Sequence, residues 1–180
     1  MIKRVAVFCG SSSGHNPIYA EAAKELGASL AKQHIDLVYG GGSVGLMGII
    51  ADEMIKNNRE VIGIIPKKIY DWEVGHTGIT QLEVVTDMHE RKAKMAALSD
   101  AFIAMPGGIG TLEEIVEAFT WLQLGYHHKP CAFLNTNGYY NDLLQFFKTM
   151  TKEGFLKEEQ YNNLIILDKP NILLDKLMNL

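Results

Sequence analysis

No run of about eighteen consecutive apolar residues occurs in the chain, so no segment of it is expected to cross a bilayer as a helix. Positive charge is not in excess either. Seventeen lysines and arginines face 21 aspartates and glutamates, for a net charge of −4 and a pI of about 5.9. That balance excludes a function built on bulk attraction to nucleic acid. Cysteine is scarce. The two present, Cys9 and Cys131, lie in apolar, strand-like runs, where small buried thiols are expected rather than a disulfide. His76, His127 and His128 show no ligand spacing with the cysteines or acids, so no metal site is expected. Lys67, Lys68 and Lys92 lack the surroundings of a pyridoxal phosphate lysine, and no cofactor is expected. Internal repeats, low-complexity segments and linkers are missing. The N-terminus enters a strand pattern without a signal-peptide core or cleavage site, and the expected location is the cytoplasm.

What remains is an ordinary globular composition, 47% hydrophobic and 21% charged over 180 residues, which predicts one domain spanning residues 1–180 with a sizeable core. Apolar runs at residues 5–9, 35–39, 60–65, 82–85, 101–105, 131–134 and 164–167 read as strands. Segments at 17–33, 44–56, 87–98, 139–150 and 171–180, and a further one after Gly110, carry helical spacing. Residues 67–80 scan as neither, and an irregular stretch of that length is often functional. Strands alternating with helices predict an α/β, Rossmann-like, doubly wound parallel sheet with helices on both faces. Ligands in such folds bind beyond the carboxyl ends of the strands. The glycine or serine turns after the first, second and fifth strands can therefore share one crevice.

The most informative turn is Met105-Pro106-Gly107-Gly108-Ile109-Gly110-Thr111-Leu112-Glu113-Glu114. Its three glycines allow positive φ and close approach of a ligand to the backbone. The amides that open the following helix are unpaired and partly positive, a ready site for phosphate. Thr111 with Glu114 also fits a capping box, which needs no function, but that reading leaves Gly107, Gly108 and Gly110 unexplained. Gly40 to Gly45 matches the G-x-G-x-x-G dinucleotide fingerprint. The strand after it ends Ile64-Ile65-Pro66-Lys67, without the acid that would hold a ribose. The preferred reading is that Gly41 and Gly42, with Gly10 and Ser11, line a nucleotide pocket. Asp87 and Glu90 form a second candidate capping box, and Arg91 and Lys92 follow at the same end of the sheet. A guanidinium there could grip a phosphate or position a carboxylate.

Met88-His89-Glu90-Arg91-Lys92, then Pro106 to Glu114, then Thr120-Trp121-Leu122-Gln123-Leu124-Gly125 resemble the Lonely Guy family. These are cytokinin riboside 5′-monophosphate phosphoribohydrolases, often mislabelled as possible lysine decarboxylases. The glycine turn at 39–48 and the start Phe8-Cys9-Gly10-Ser11-Ser12 share the likeness, which runs from about residue 3 to residue 135. The resemblance implies hydrolysis of the N-glycosidic bond of a purine nucleoside 5′-monophosphate to free base and ribose 5-phosphate, with AMP a substrate of similar bacterial members. It implies Arg91 and Glu114 as the catalytic pair. Glu73, Lys92, Gly108, Ile109, Gly110, Thr111, Leu112, Glu113 and Thr120 would contact the nucleotide. It also implies a homodimer with its sites near the subunit interface. Ile109 departs from the tyrosine common in plant members, which bears on substrate preference. A non-catalytic nucleotide-binding or carrier protein on the same fold is the alternative.

Overall fold

Side chains along the central strand divide by parity. In β1 (Arg4–Phe8), Val5 and Val7 enter one core, while Ala6 and Phe8 enter another. This is what a two-residue period requires of a strand buried on both faces. Six further strands complete the sheet: β2 (Asp36–Tyr39), β3 (Val61–Pro66), β4 (Gln81–Val85), β5 (Ala101–Ala104), β6 (Cys131–Leu134) and β7 (Ile165–Leu167). They lie in the order β4-β3-β2-β1-β5-β6-β7, and every pairing is parallel. The computed structural model of the protein describes residues 2–71 and 75–180.

The helices are α1 (Ile18–Lys32), α2 (Gly45–Lys56), α3 (Lys67–Tyr70), α4 (Met88–Leu98), α5 (Ile109–Gln123), α6 (Asn141–Lys152), α7 (Glu158–Asn162) and α8 (Pro170–Met178). One core packs α1, α2 and α8 on the sheet through Leu26, Leu30, Ile50, Met54, Leu173 and Leu174. The other packs α4, α5 and α6 through Met95, Ile115, Phe119, Leu144 and Phe147. Each large apolar side chain buried this way contributes roughly 1.5–3 kcal/mol. The expected doubly wound α/β architecture is therefore present. No helix among the described residues is long and apolar enough to cross a membrane.

Several expected boundaries shift. The segment at 67–80 opens with the single turn α3, which Pro66 precedes in extended conformation. The helix expected over 139–150 starts at Asn141 and is preceded by a 3₁₀ turn, Thr136–Gly138, with Asn137 and Gly138 at φ of 54° and 69°. Helix α7 was not anticipated, being too short for its periodicity to register.

Strand order reverses at β1. The chain steps from β1 through β2 and β3 to β4 on one side, and resumes at β5 on the other. The crevice between the carboxyl ends of β1 and β5 is the topological switch point, where such sheets bind ligands.

Candidate active site

The turns around that crevice are knitted into one piece. The Gly10 amide donates to the Pro106 carbonyl at 3.1 Å, and the Gly10 carbonyl accepts from the Leu46 amide at 3.0 Å. Gly45, at φ +64°, lies so close to the β1 turn that a Cβ there would fall 2.3 Å from the Ser11 backbone. Between them opens a cleft of about 310 Å³, lined by Cys9, Gly10 and Ser11 after β1, Gly40 after β2, Arg91 from α4, and Gly108 to Thr111 with Glu114 from α5. Met47 and Ile69 add apolar wall. A second cavity of about 300 Å³ adjoins it across Gly10, Ser11 and Gly108. A larger cavity, about 500 Å³, lies between the later turns of α4 and α5 beside Trp121 and Tyr126. It borders neither the glycine turns nor the buried ion pair, so the smaller cleft is the better site.

Arg91 and Glu114 face each other in this cleft. Helix α4 is well started: Asp87 caps it by accepting from the Glu90 amide at 2.9 Å. Glu90 reaches back to the Thr86 amide and hydroxyl at 2.8 and 2.7 Å. That fixes the first turn and with it Arg91. The guanidinium donates through Nε to the Ile64 carbonyl at 3.1 Å and through Nη1 to Glu114 Oε1 at 2.8 Å. The two residues are only 9% and 7% exposed. Burial pushes the Glu114 carboxyl above its ordinary range, and Arg91 only partly opposes the rise. A buried charge of this kind persists because it is paired. Burial, reinforced by Glu114, pushes the Cys9 thiol up as well, so Cys9 lines the cleft as a neutral thiol.

The capping-box explanation of Glu114 fails here. Helix α5 begins at Ile109 with Gly108 as its cap, so Thr111 lies inside the first turn, and no side chain caps the helix. The Glu114 carboxylate is therefore held by Arg91 and not by a helix start. The expectation of positive φ in this turn also fails. Gly108 has φ −88°, and neither Gly107 nor Gly110 is among the positive-φ glycines. Only at Gly107 does the glycine have a spatial cause. A Cβ at Gly107 would meet Thr111 Oγ1 at 2.2 Å, whereas Gly108 and Gly110 have nothing within 4 Å. The amides of Ile109, Gly110 and Thr111 have no acceptor within the helix, and they open onto free space that an anion can occupy.

Gly40, the first glycine of the fingerprint but not among the expected pocket residues, has a direct part. A Cβ there would lie 2.3 Å from Arg91 Nη2, the far end of a long side chain that can move. Gly40→Ala is thus expected to displace the guanidinium rather than unfold the sheet. The expected result is a loss of about tenfold or more in kcat/KM with little change in thermal midpoint. Parallel loss of stability and activity would count against that reading.

The remaining expected contacts divide. Gly10, Ser11, Gly108, Ile109, Gly110 and Thr111 line the cleft, with Ile109 82% exposed at its rim. Gly41 and Gly42 are turned elsewhere: the Gly41 carbonyl accepts from the His76 amide at 2.9 Å, and Gly42 forms a bridge with Gly75. They tie the β3–β4 segment down, and Gly40 takes the position facing the cleft. The Lys92 ammonium sits 2.5 Å from Glu113 and 3.1 Å from Glu117. Burial alone would lower its pKa, but these two carboxylates outweigh burial and raise it. Leu112 makes the first helical bond, to Gly108, at 3.1 Å. Thr120 is exposed and bonds back to the Val116 carbonyl at 2.7 Å, about 9 Å along the helix from Glu114. Glu73 lies outside the described residues.

Comparison with known proteins places this arrangement. A family model described as "Possible lysine decarboxylase" matches residues 47–177. A cytokinin riboside 5′-monophosphate phosphoribohydrolase of Arabidopsis thaliana is 52% identical over 94% of this chain and 77% of its own length. A second enzyme of that name from the same plant is 53% identical over 86% of this chain and 72% of its own. Among solved structures, a molybdenum cofactor binding protein of Rippkaea orientalis superposes with a TM-score of 0.74, covering 99% of this chain and 96% of that one, at 23% identity. The structural likeness, at that identity, establishes the shared α/β fold.

Proposed function

The chain belongs to the Lonely Guy family, and from that premise we propose that it is a nucleoside 5′-monophosphate phosphoribohydrolase. It hydrolyses the N-glycosidic bond of AMP or of N6-modified adenosine monophosphates, giving ribose 5-phosphate and either adenine or an active cytokinin. The observation that carries this reading is the buried Arg91–Glu114 pair at 2.8 Å, set one helical turn beyond uncapped amides.

The chemistry follows from that layout. Cleavage of a ribosyl–base bond passes through an oxocarbenium-like transition state, with positive charge growing on the sugar. The α5 amides hold the 5′-phosphate, which sets the ribose against the carboxylate. Glu114 stabilises the developing cation, and its raised proton affinity suits it to accept a proton from the attacking water. The water oxygen bonds to the anomeric carbon while the carbon–nitrogen bond breaks; the base takes a proton from solvent as it leaves, and Glu114 returns the water's proton to solvent. Arg91 favours the ionised form of Glu114 and aims it. No lysine is among the described residues lining the cleft, and Lys92 carries a strengthened positive charge. A Schiff base needs a neutral amine, so the decarboxylase description of the family model finds no support in this geometry.

The assembly belongs to the same proposal. Thr120 cannot reach Glu114 of its own chain, yet it lies beside an apolar surface on which Leu124 and Tyr126 are 66% and 77% exposed. A homodimer joined near this surface would bring a second copy of α5 towards the site.

Incubation with AMP, GMP and N6-isopentenyladenosine monophosphate tests the reading. Free base and ribose 5-phosphate should appear in equal amounts from the adenine nucleotides. Binding of AMP without release of adenine would instead support the nucleotide carrier.

A further inference from the structure

A trans peptide points its N–H opposite to its C=O, so whatever grips a carbonyl also aims the next amide. Three of the four carbonyls of the turn from β5 into α5 are gripped by groups outside it; the fourth, Gly108, accepts the first bond of α5. Met105 accepts from the Tyr140 hydroxyl at 2.6 Å, Pro106 from the Gly10 amide at 3.1 Å, and Gly107 from the Tyr139 hydroxyl at 2.6 Å. The third bond matters most for the cleft. It fixes the peptide whose nitrogen belongs to Gly108, the residue shared by the cleft and the cavity beside it. That peptide joins two glycines, the pair with the least steric resistance to rotation. Turned over, it would present the Gly107 carbonyl where the Gly108 amide now points, and a carbonyl repels phosphate.

Tyr139 is built to hold this bond. The turn through Asn137 and Gly138 at positive φ places Tyr139 and Tyr140 side by side after β6. The Tyr140 amide is anchored on Asn135 Oδ1 at 2.7 Å. The Tyr139 ring packs edge-on against Tyr19 at 5.7 Å and Tyr140 at 5.0 Å. Its hydroxyl is thereby delivered to Gly107 although the residue is 44% exposed. Tyr140, by contrast, is buried in the core and serves the fold.

We infer that Tyr139 is a positioning residue for phosphate recognition, acting through the Gly107–Gly108 peptide. The inference rests on the phosphoribohydrolase reading. Tyr139 touches no reacting atom; it selects the orientation in which the Gly108 amide, with those of α5, meets the 5′-phosphate.

Tyr139→Phe tests it, because an exposed edge loses one hydroxyl and no packing. In the variant, KM for AMP should rise about tenfold and inhibition by ribose 5-phosphate should weaken by about the same factor. Binding of adenosine, which lacks the phosphate, should stay within about twofold. Equal inhibition of variant and wild type by ribose 5-phosphate would overturn the inference while leaving the enzyme reading intact. So would a parallel loss of adenosine binding, the mark of general damage. A wild-type protein that neither cleaves AMP nor binds ribose 5-phosphate would overturn both. As a second measurement, the Gly108 amide resonance should shift on addition of ribose 5-phosphate to the wild type and respond less in the variant.

Discussion

Glu114→Gln is expected to lower turnover of AMP by a factor of about a hundred or more, with KM changed far less. The substitution keeps size and hydrogen bonding, so Arg91 retains a polar partner. It removes only the negative charge that the sugar cation requires and the basic oxygen that the water requires. Near wild-type turnover would remove Glu114 from the mechanism. Arg91→Ala should cost a similar factor, but it also strands a buried carboxylate and will lower stability. The glutamine variant is therefore the cleaner measurement.

The same residue sets the acid side of the pH profile. Glu114 acts as the carboxylate, and burial raises its pKa in spite of Arg91. A raised carboxyl takes up its proton at higher pH than an ordinary one. As pH falls, activity should accordingly be lost above the ordinary glutamate range, near 4.3. A profile that stays flat down into that ordinary range would contradict the assignment.

Loss of the phosphate is expected to be the other large effect. Adenosine should be cleaved about a thousandfold less efficiently than AMP, as kcat/KM. The charged groups lining the cleft, Arg91 and Glu114, are paired with each other, and the α5 amides are left for the phosphate. Several charge-assisted hydrogen bonds together are worth that factor. Part of the loss should fall on kcat, since the phosphate holds the anomeric carbon against Glu114 and binding remote from the reacting bond contributes to the chemical step. Equal rates on AMP and adenosine would dismiss the amides as the anchor.

The fold was legible because its strands are buried on both faces. Val5 to Phe8 and Ala101 to Ala104 read as short apolar runs, and glycine turns follow them at the correct ends. Arg91 and Glu114 became candidates through their place in the signature stretches, and the ion pair joins them across residues 23 apart in the chain. What the chain alone concealed was how space is shared. Thr111 looked like a cap because threonine precedes glutamate by three, yet Gly108 starts the helix without a side chain. Gly40 is explained chiefly by an arginine 51 residues away. The tyrosines after β6 reach the glycine turn across more than thirty residues. None of these contacts leaves a periodic trace, since each depends on which strands the sheet makes neighbours.

One further consequence follows from the charges around the cleft. Glu113, Glu114 and Glu117 stand beside Arg91 and Lys92 in two interlocking ion-pair groups, three negative charges against two positive. These ion pairs offer an approaching nucleotide dianion no surplus of positive charge, and the whole chain carries −4. Encounter is therefore left to diffusion, without electrostatic guidance. Recognition begins only when the phosphate is within hydrogen-bond reach of the backbone. A site of this kind sorts its ligands after arrival, by fit and departure rate, and added salt should not slow its encounters as it does for proteins with an exposed basic rim.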